Sequence, residues 1–144
     1  MQTRNTHDTE SYAHGITRTF MDDNQIVAVR TQGDMSRDAI NTWASLLILT
    51  MQEWKSKRPV GALLDLTHPN QGLTPYARER TLDLMNRIPD GLTIYSAVVL
   101  PGTFMYRIIE MFLRTPAFHR RGHEIQVFRS ETQALNWLRE KLAD

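Results

Sequence analysis

A chain of 144 residues is long enough for one domain with a sizeable core, and 41% hydrophobic against 23% charged residues is the balance of a globular protein. A formal net charge of +1 builds in no general attraction to nucleic acid or anionic lipid. The absence of cysteine excludes disulfides, a thiol nucleophile and cysteine-based zinc or iron–sulfur sites.

The N-terminal stretch MQTRNTHDTESYAHG is polar and holds no apolar run of signal-peptide type. The most apolar continuous run, WASLLILTM, is far shorter than the roughly 20 residues a bilayer requires. The expectation is a cytoplasmic protein that spans no membrane, with a flexible tail over 1–11 and a single domain over 12–144.

In chain order, HGITRTFMDD alternates loosely, and QIVAVRTQG is β-branched and apolar. The two predict a hairpin across the turn cluster Asp22-Asp23-Asn24. Ser36 stands as an N-cap before a helix that reaches Lys57, with Ile40, Trp43, Leu47, Met51 and Trp54 on one stripe. Lys55, Lys57 and Arg58 sit at its end, where cations suit the helix dipole, and Pro59 lies beyond the stop. VGALLDL at 60–66 is a continuous apolar run, the signature of a strand buried on both faces.

Thr74-Pro75 predicts a helix start, with Ala77, Thr81, Leu84, Met85 and Ile88 facing inward. TIYSAVVL at 93–100 is a second buried strand, FMYRIIEMFLRTP a short and very apolar helix, and HEIQVF at 123–128 the last strand. A capping box at Ser130 and Gln133 opens a final helix with Ala134, Trp137, Leu138 and Leu142 on its apolar face. The order β-β-α-β-α-β-α-β-α predicts an α/β domain: a mostly parallel, five-stranded mixed sheet with helices packed on it and the first strand antiparallel at one edge.

This order, together with two stretches, resembles the STAS domain, and within it the SpoIIAA-like (STAS/SEC14-type) proteins. IQVFRSETQALNWLREKL is similar to the family's ending, a strand into Phe and then a Ser-capped helix. ALLDLTHPNQGLTPYARE is similar to the strand–loop–helix where anti-sigma-factor antagonists carry a phosphorylated Ser or Thr. Those antagonists usually read Asp-Ser-Ser-Gly or Asp-Thr-Ser-Gly there. Here Leu73 stands in place of the Asp, and Pro75 and Tyr76 follow Thr74. The resemblance is therefore to the SpoIIAA-like branch, which generally lacks that signature, more than to the phosphorylation switch.

Thr74 is the candidate for phosphorylation or partner contact, set against a plain N-cap role. Asp65, at the carboxyl end of a buried strand, and His68, in the loop after it, are candidate loop contacts. A receiver-type phosphoacceptor role for Asp65 lacks the acidic pair and the Lys it would need. Arg114, Arg120 and Arg121 are candidate anion contacts. His119 and His123 are four residues apart, but Gly122 interrupts the helix a metal pair would need. Phe104, Met105, Ile108 and Phe112 leave the 103–115 helix with little polar face, as at an interface or an apolar ligand site.

No catalytic constellation, metal set or cofactor motif is legible, and no motif points to nucleic acid. The expectation is a non-enzymatic regulatory, protein-binding module acting through the loop 65–75 and the helix 74–88. The alternative is a small-ligand or lipid carrier using the 103–115 helix. An unidentified protein partner, a homodimer and an amphiphilic small molecule are the expected classes of partner.

Overall fold

The structure, a computed structural model, describes residues 9–33, 36–67, 74–100, 104–119 and 122–143, with residues 104 and 105 as backbone only. Five strands are expected from the sequence and six are present. The additional one is a short edge strand, Thr9–Ser11 (β1), within the segment read as tail. It pairs antiparallel with Ile16–Met21 (β2), which pairs antiparallel with Ile26–Thr31 (β3). Between β2 and β3, Asp22, Asp23 and Asn24 take φ values of 52, 56 and 65, in the left-handed region that Asp and Asn tolerate better than most residues.

Arg18 explains both the edge strand and the loose alternation of β2. With Ile16 and Phe20 it faces the first helix, Arg37–Glu53 (α1), and it is 7% exposed. Its Nε donates to Glu10 Oε1 at 2.8 Å and its Nη1 to Thr50 Oγ1 of α1 at 2.8 Å. The guanidinium also lies 4.9 Å over the Phe20 ring. A buried cation needs such partners, and Glu10 supplies one by drawing β1 into the sheet.

The same hydrogen bond holds the Glu10 carboxyl below its ordinary range. Its folded-state pKa lies below the unfolded one, so the stabilisation is complete above the unfolded pKa and is lost as pH falls through the folded value. Glu10→Gln is therefore expected to be less stable than the natural chain at neutral pH, with the difference shrinking as pH falls below the ordinary carboxylate range, read by urea unfolding across that range.

Ser36 Oγ accepts from the Ala39 N–H at 3.2 Å, so α1 starts where its cap predicts. It stops at Glu53, short of Lys57. Trp54 leaves the helix with ψ 113, its Nε1 donates to the Arg58 carbonyl at 3.3 Å, and Arg58 Nη2 donates to Gln25 Oε1 at 2.5 Å. Lys55, Lys57 and Arg58 thus belong to a folded-back connection and not to the helix terminus.

The remaining elements are Val60–Asp65 (β4), Pro75–Asn86 (α2), Ile94–Val99 (β5), Phe104–Leu113 (α3), His123–Phe128 (β6) and Glu131–Leu142 (α4). The sheet order is β1-β2-β3-β4-β5-β6, and β3 to β6 run parallel. With sequential order, right-handed crossovers place every connecting helix on one face. Accordingly Val27, Val29, Val60, Ala62 and Ile94 pack with Trp43 of α1 and Leu84 of α2, while Val98 packs with Ile109 and Leu113 of α3. The alternate residues Ile26, Ala28, Leu63, Ala97 and Val99 pack with Ala134 and Leu138 of α4 on the other face.

Gly61 lets α4 lie close to the sheet. A Cβ there would stand 2.9 Å from Leu142 Cδ1 and 3.3 Å from Ile26 Cγ1. Ser130 Oγ caps α4 by accepting from the Gln133 N–H at 3.2 Å. Among the described residues no helix is long and apolar enough to cross a membrane.

Candidate functional site

The three-helix face is not fully packed. A cavity of about 160 Å³ lies between the sheet and α1, α2 and α3. Its floor is Ala62 and Leu64 of β4 with Ile94 and Val98 of β5. Its walls include Trp43 and Met51 of α1, Ala77 and Thr81 of α2, and Ile109 and Phe112 of α3. Ala77, Thr81, Leu84 and Met85 of α2 line it, and so does Ile88, which lies past the end of the helix at Asn86 and not on it as the sequence predicts. The space arises where small side chains, Ala62, Ala77 and Thr81, face inward from adjoining elements. An apolar cavity of about 150 Å³ stays dry and takes up benzene-sized guests.

Few polar groups border this space. Ser96 of β5 and His123 of β6 both line it and are 6% and 9% exposed. Ser96 Oγ lies 3.0 Å from His123 Nε2, and His123 Nδ1 lies 2.8 Å from the Phe118 carbonyl oxygen. A carbonyl only accepts, so Nδ1 carries the proton. In the neutral ring Nε2 then accepts the Ser96 hydroxyl proton, which leaves the lone pairs of Ser96 Oγ. Trp43 is 6% exposed, and its Nε1–H finds no acceptor among the described residues.

A Ser–His pair oriented by a third group has the outline of an activated nucleophile. Ser96, however, sits in the middle of a strand flanked by β4 and β6. It lacks the loop or helix start from which backbone N–H groups converge on a developing oxyanion. The arrangement is suited to hydrogen bonding a guest.

The sequence reading did not single out Ser96 or the Trp43 N–H. The available signal was a Ser interrupting a doubly buried run and a His at the first position of the next strand. His119 Nε2 meets the Leu113 carbonyl at 3.0 Å, while both His123 nitrogens are engaged elsewhere. The four-residue spacing therefore does not bring the two rings to one ligand.

The other expected site residues are scattered. Asp65 Oδ1 accepts from the Thr67 N–H at 3.0 Å and from the Thr67 hydroxyl at 2.6 Å, closing the turn after β4. His68, Arg120 and Arg121 lie outside the described residues, as do the side chains of Phe104 and Met105. Arg114 is exposed and 3.7 Å from Glu110. Phe112 lines the cavity, with its ring 5.0 Å from that of Phe118. Ile108 points away from it and is 44% exposed, with Met111 at 65%.

Thr74 Oγ1 accepts from the Ala77 N–H at 3.0 Å, the geometry of an N-cap. Tyr76 donates to Asn41 Oδ1 and lies under the Arg37 guanidinium at 4.3 Å, which ties the start of α2 to α1. Thr74→Ala is expected to lower stability by about 1 kcal/mol in urea unfolding, and Thr74→Asp, which also caps, to retain most of it.

No family model matches the chain, and no curated protein does. Among solved structures, it is similar to an uncharacterized protein of the DUF3478 family with a SpoIIAA-like fold from Shewanella loihica PV-4. The two superimpose with a TM-score of 0.57 at 21% identity, over 96% of this chain and 99% of the other. The fold is SpoIIAA-like. At this identity the likeness carries architecture alone.

Proposed function

We propose that this chain is a non-enzymatic binding module with a regulatory role, whose interior holds a compact apolar molecule and whose α2 presents the bound or empty state to a protein partner. The observation that carries it is the cavity of about 160 Å³ beside α2. Its volume favours a guest on the order of benzene in size, below the roughly 300 Å³ at which sites for drug-sized ligands begin. That narrows the carrier reading from a long acyl chain to a small molecule.

The regulatory reading rests on α2 having two uses. Ala77, Thr81, Leu84 and Met85 border the cavity, while Thr74, Pro75, Arg78 and Glu79 are exposed on the same helix. A guest that favours one position of α2 shifts the equilibrium seen by a partner at the outer face by its difference in affinity for the two states. A cytoplasmic location suits a cysteine-free chain with this role. Self-association is the second reading, favoured by Leu49, Ile108 and Met111, each exposed by 44% or more.

Native mass spectrometry of protein purified without denaturation tests the first reading and reports oligomeric state as well. A small-molecule adduct, or uptake of added benzene at one per chain, is the expected result. A bare, folded chain that takes up no benzene overturns it.

A further inference from the structure

The two edges of the sheet are unlike. One is β1, three residues long, polar and exposed, with the charged Glu10 at its centre. Short, charged edges of this kind resist pairing with another chain. The other is β6, six residues long with no Pro, Gly or Lys, and its one neighbour in the sheet is β5. The Ile94 N–H donates to the Gly122 carbonyl at 2.8 Å and the Leu100 N–H to the Phe128 carbonyl at 3.0 Å. Backbone groups alternate in direction along a strand, so the even-numbered residues of β6 bond β5, and Ile125 and Val127 turn their N–H and C=O outward. Among the described residues no group bonds those outward N–H and C=O groups.

The side chains do little to guard this edge. The Glu124 carboxylate lies 3.1 Å from Lys141 Nζ of α4, which offsets its charge. Ile125 and Val127 are half-buried against the cluster beneath α3. Gln126, between them, is exposed and uncharged.

We infer that β6 pairs antiparallel with β6 of a second copy of this chain, about a two-fold axis at Gln126, so that the two sheets join into one. The axis falls there because Ile125 and Val127 carry the open backbone groups. A two-fold normal to the sheet keeps every side chain on its own face and sets Ile125 of one copy opposite Val127 of the other. Those two residues exchange both N–H···O=C bonds, and symmetry repeats the exchange, which answers every outward group named above. They also form a β-branched cross-strand pair on the three-helix face. Gln126 meets its own copy in a closely spaced, non-hydrogen-bonded pair. Its amide both donates and accepts, so it satisfies itself across the axis, where Lys or Glu would meet a like charge. An extended peptide from another protein would take the backbone bonds but give Gln126 no such role. This surface is separate from Leu49, Ile108 and Met111, and the inference does not rest on the cavity.

The test is size exclusion with light scattering, and sedimentation equilibrium for affinity, on the whole chain and on Gln126→Lys and Gln126→Glu. The natural chain is expected to be a dimer. Each variant sets like charges opposite each other at the axis and is expected to weaken the dimer by about tenfold or more. The position is exposed, so the fold is kept, which circular dichroism reports. Mixing the two variants brings opposite charges together and is expected to restore the dimer to within about threefold of the natural affinity. A monomeric natural chain overturns the inference. So does a dimer that both variants leave intact, which assigns self-association to another face, and so does a mixture that stays monomeric. None of these outcomes touches the cavity reading, which benzene uptake decides separately.

Discussion

Phe118→Ala is expected to destabilise the protein by about 4 kcal/mol, the largest single effect foreseen here. Phe118 is 1% exposed and follows α3 in a short turn of helix, Pro116–Phe118. Its ring packs edge-on to Phe112 at 5.0 Å, within the cluster of Met85, Val98, Leu100, Ile109 and Leu113. Truncation removes the transfer free energy of a buried ring and leaves a void that a sheet and two helices cannot close by moving together. The void adjoins the existing cavity, since Phe118 lines it. The variant is therefore expected to accept larger guests, such as naphthalene, while unfolding at lower denaturant. Urea unfolding gives the first quantity, and a benzene-to-naphthalene affinity ratio the second. A loss below about 1 kcal/mol would mean that Phe118 is not packed as described.

Ala62→Leu is expected to have the opposite pair of effects. Ala62 sits at the middle of β4, faces the three-helix side and lines the cavity. Leu adds three carbons to a space of about 160 Å³. Filling such a space commonly raises stability by about 0.5–2 kcal/mol. It also removes the volume a guest needs, so benzene affinity should fall at least tenfold. Stability and binding moving in opposite directions is the mark of a cavity retained for a guest. Were Leu to be overpacked, stability would drop by about 1–3 kcal/mol, and the space would not be the one described.

What could be read in the sequence was what is local. Ser36, Thr74 and Ser130 mark helix starts because a cap bonds an N–H three residues away, and all three bonds are formed. The continuous apolar runs gave β4 and β5 because both faces of the sheet are covered. Edge strand β1 was hidden, since Thr9-Glu10-Ser11 is polar and exposed. Its reason to pair lies eight residues on, in an Arg18 that reads as an outward position and is buried. The stop of α1 at Glu53 depends on Arg58 reaching Gln25, a contact across the fold. The polar wall of the cavity was hidden for a like reason. Ser96 and His123 are 27 residues apart, and only the β5–β6 register, with Ile94 opposite His123 and Ser96 opposite Ile125, puts them on one face. Composition and periodicity do not report the volume between layers, which depends on how several small side chains meet.

That volume is the central claim, and a titration of methyl-labelled protein with benzene, followed by two-dimensional NMR, tests it most directly. The prediction is saturable one-to-one binding, with the largest shifts at the methyls of Ile94, Val98, Ile109 and Leu113 and little change at Leu138 and Leu142 beneath α4. Shifts that do not saturate, or that centre on the α4 face, would contradict it.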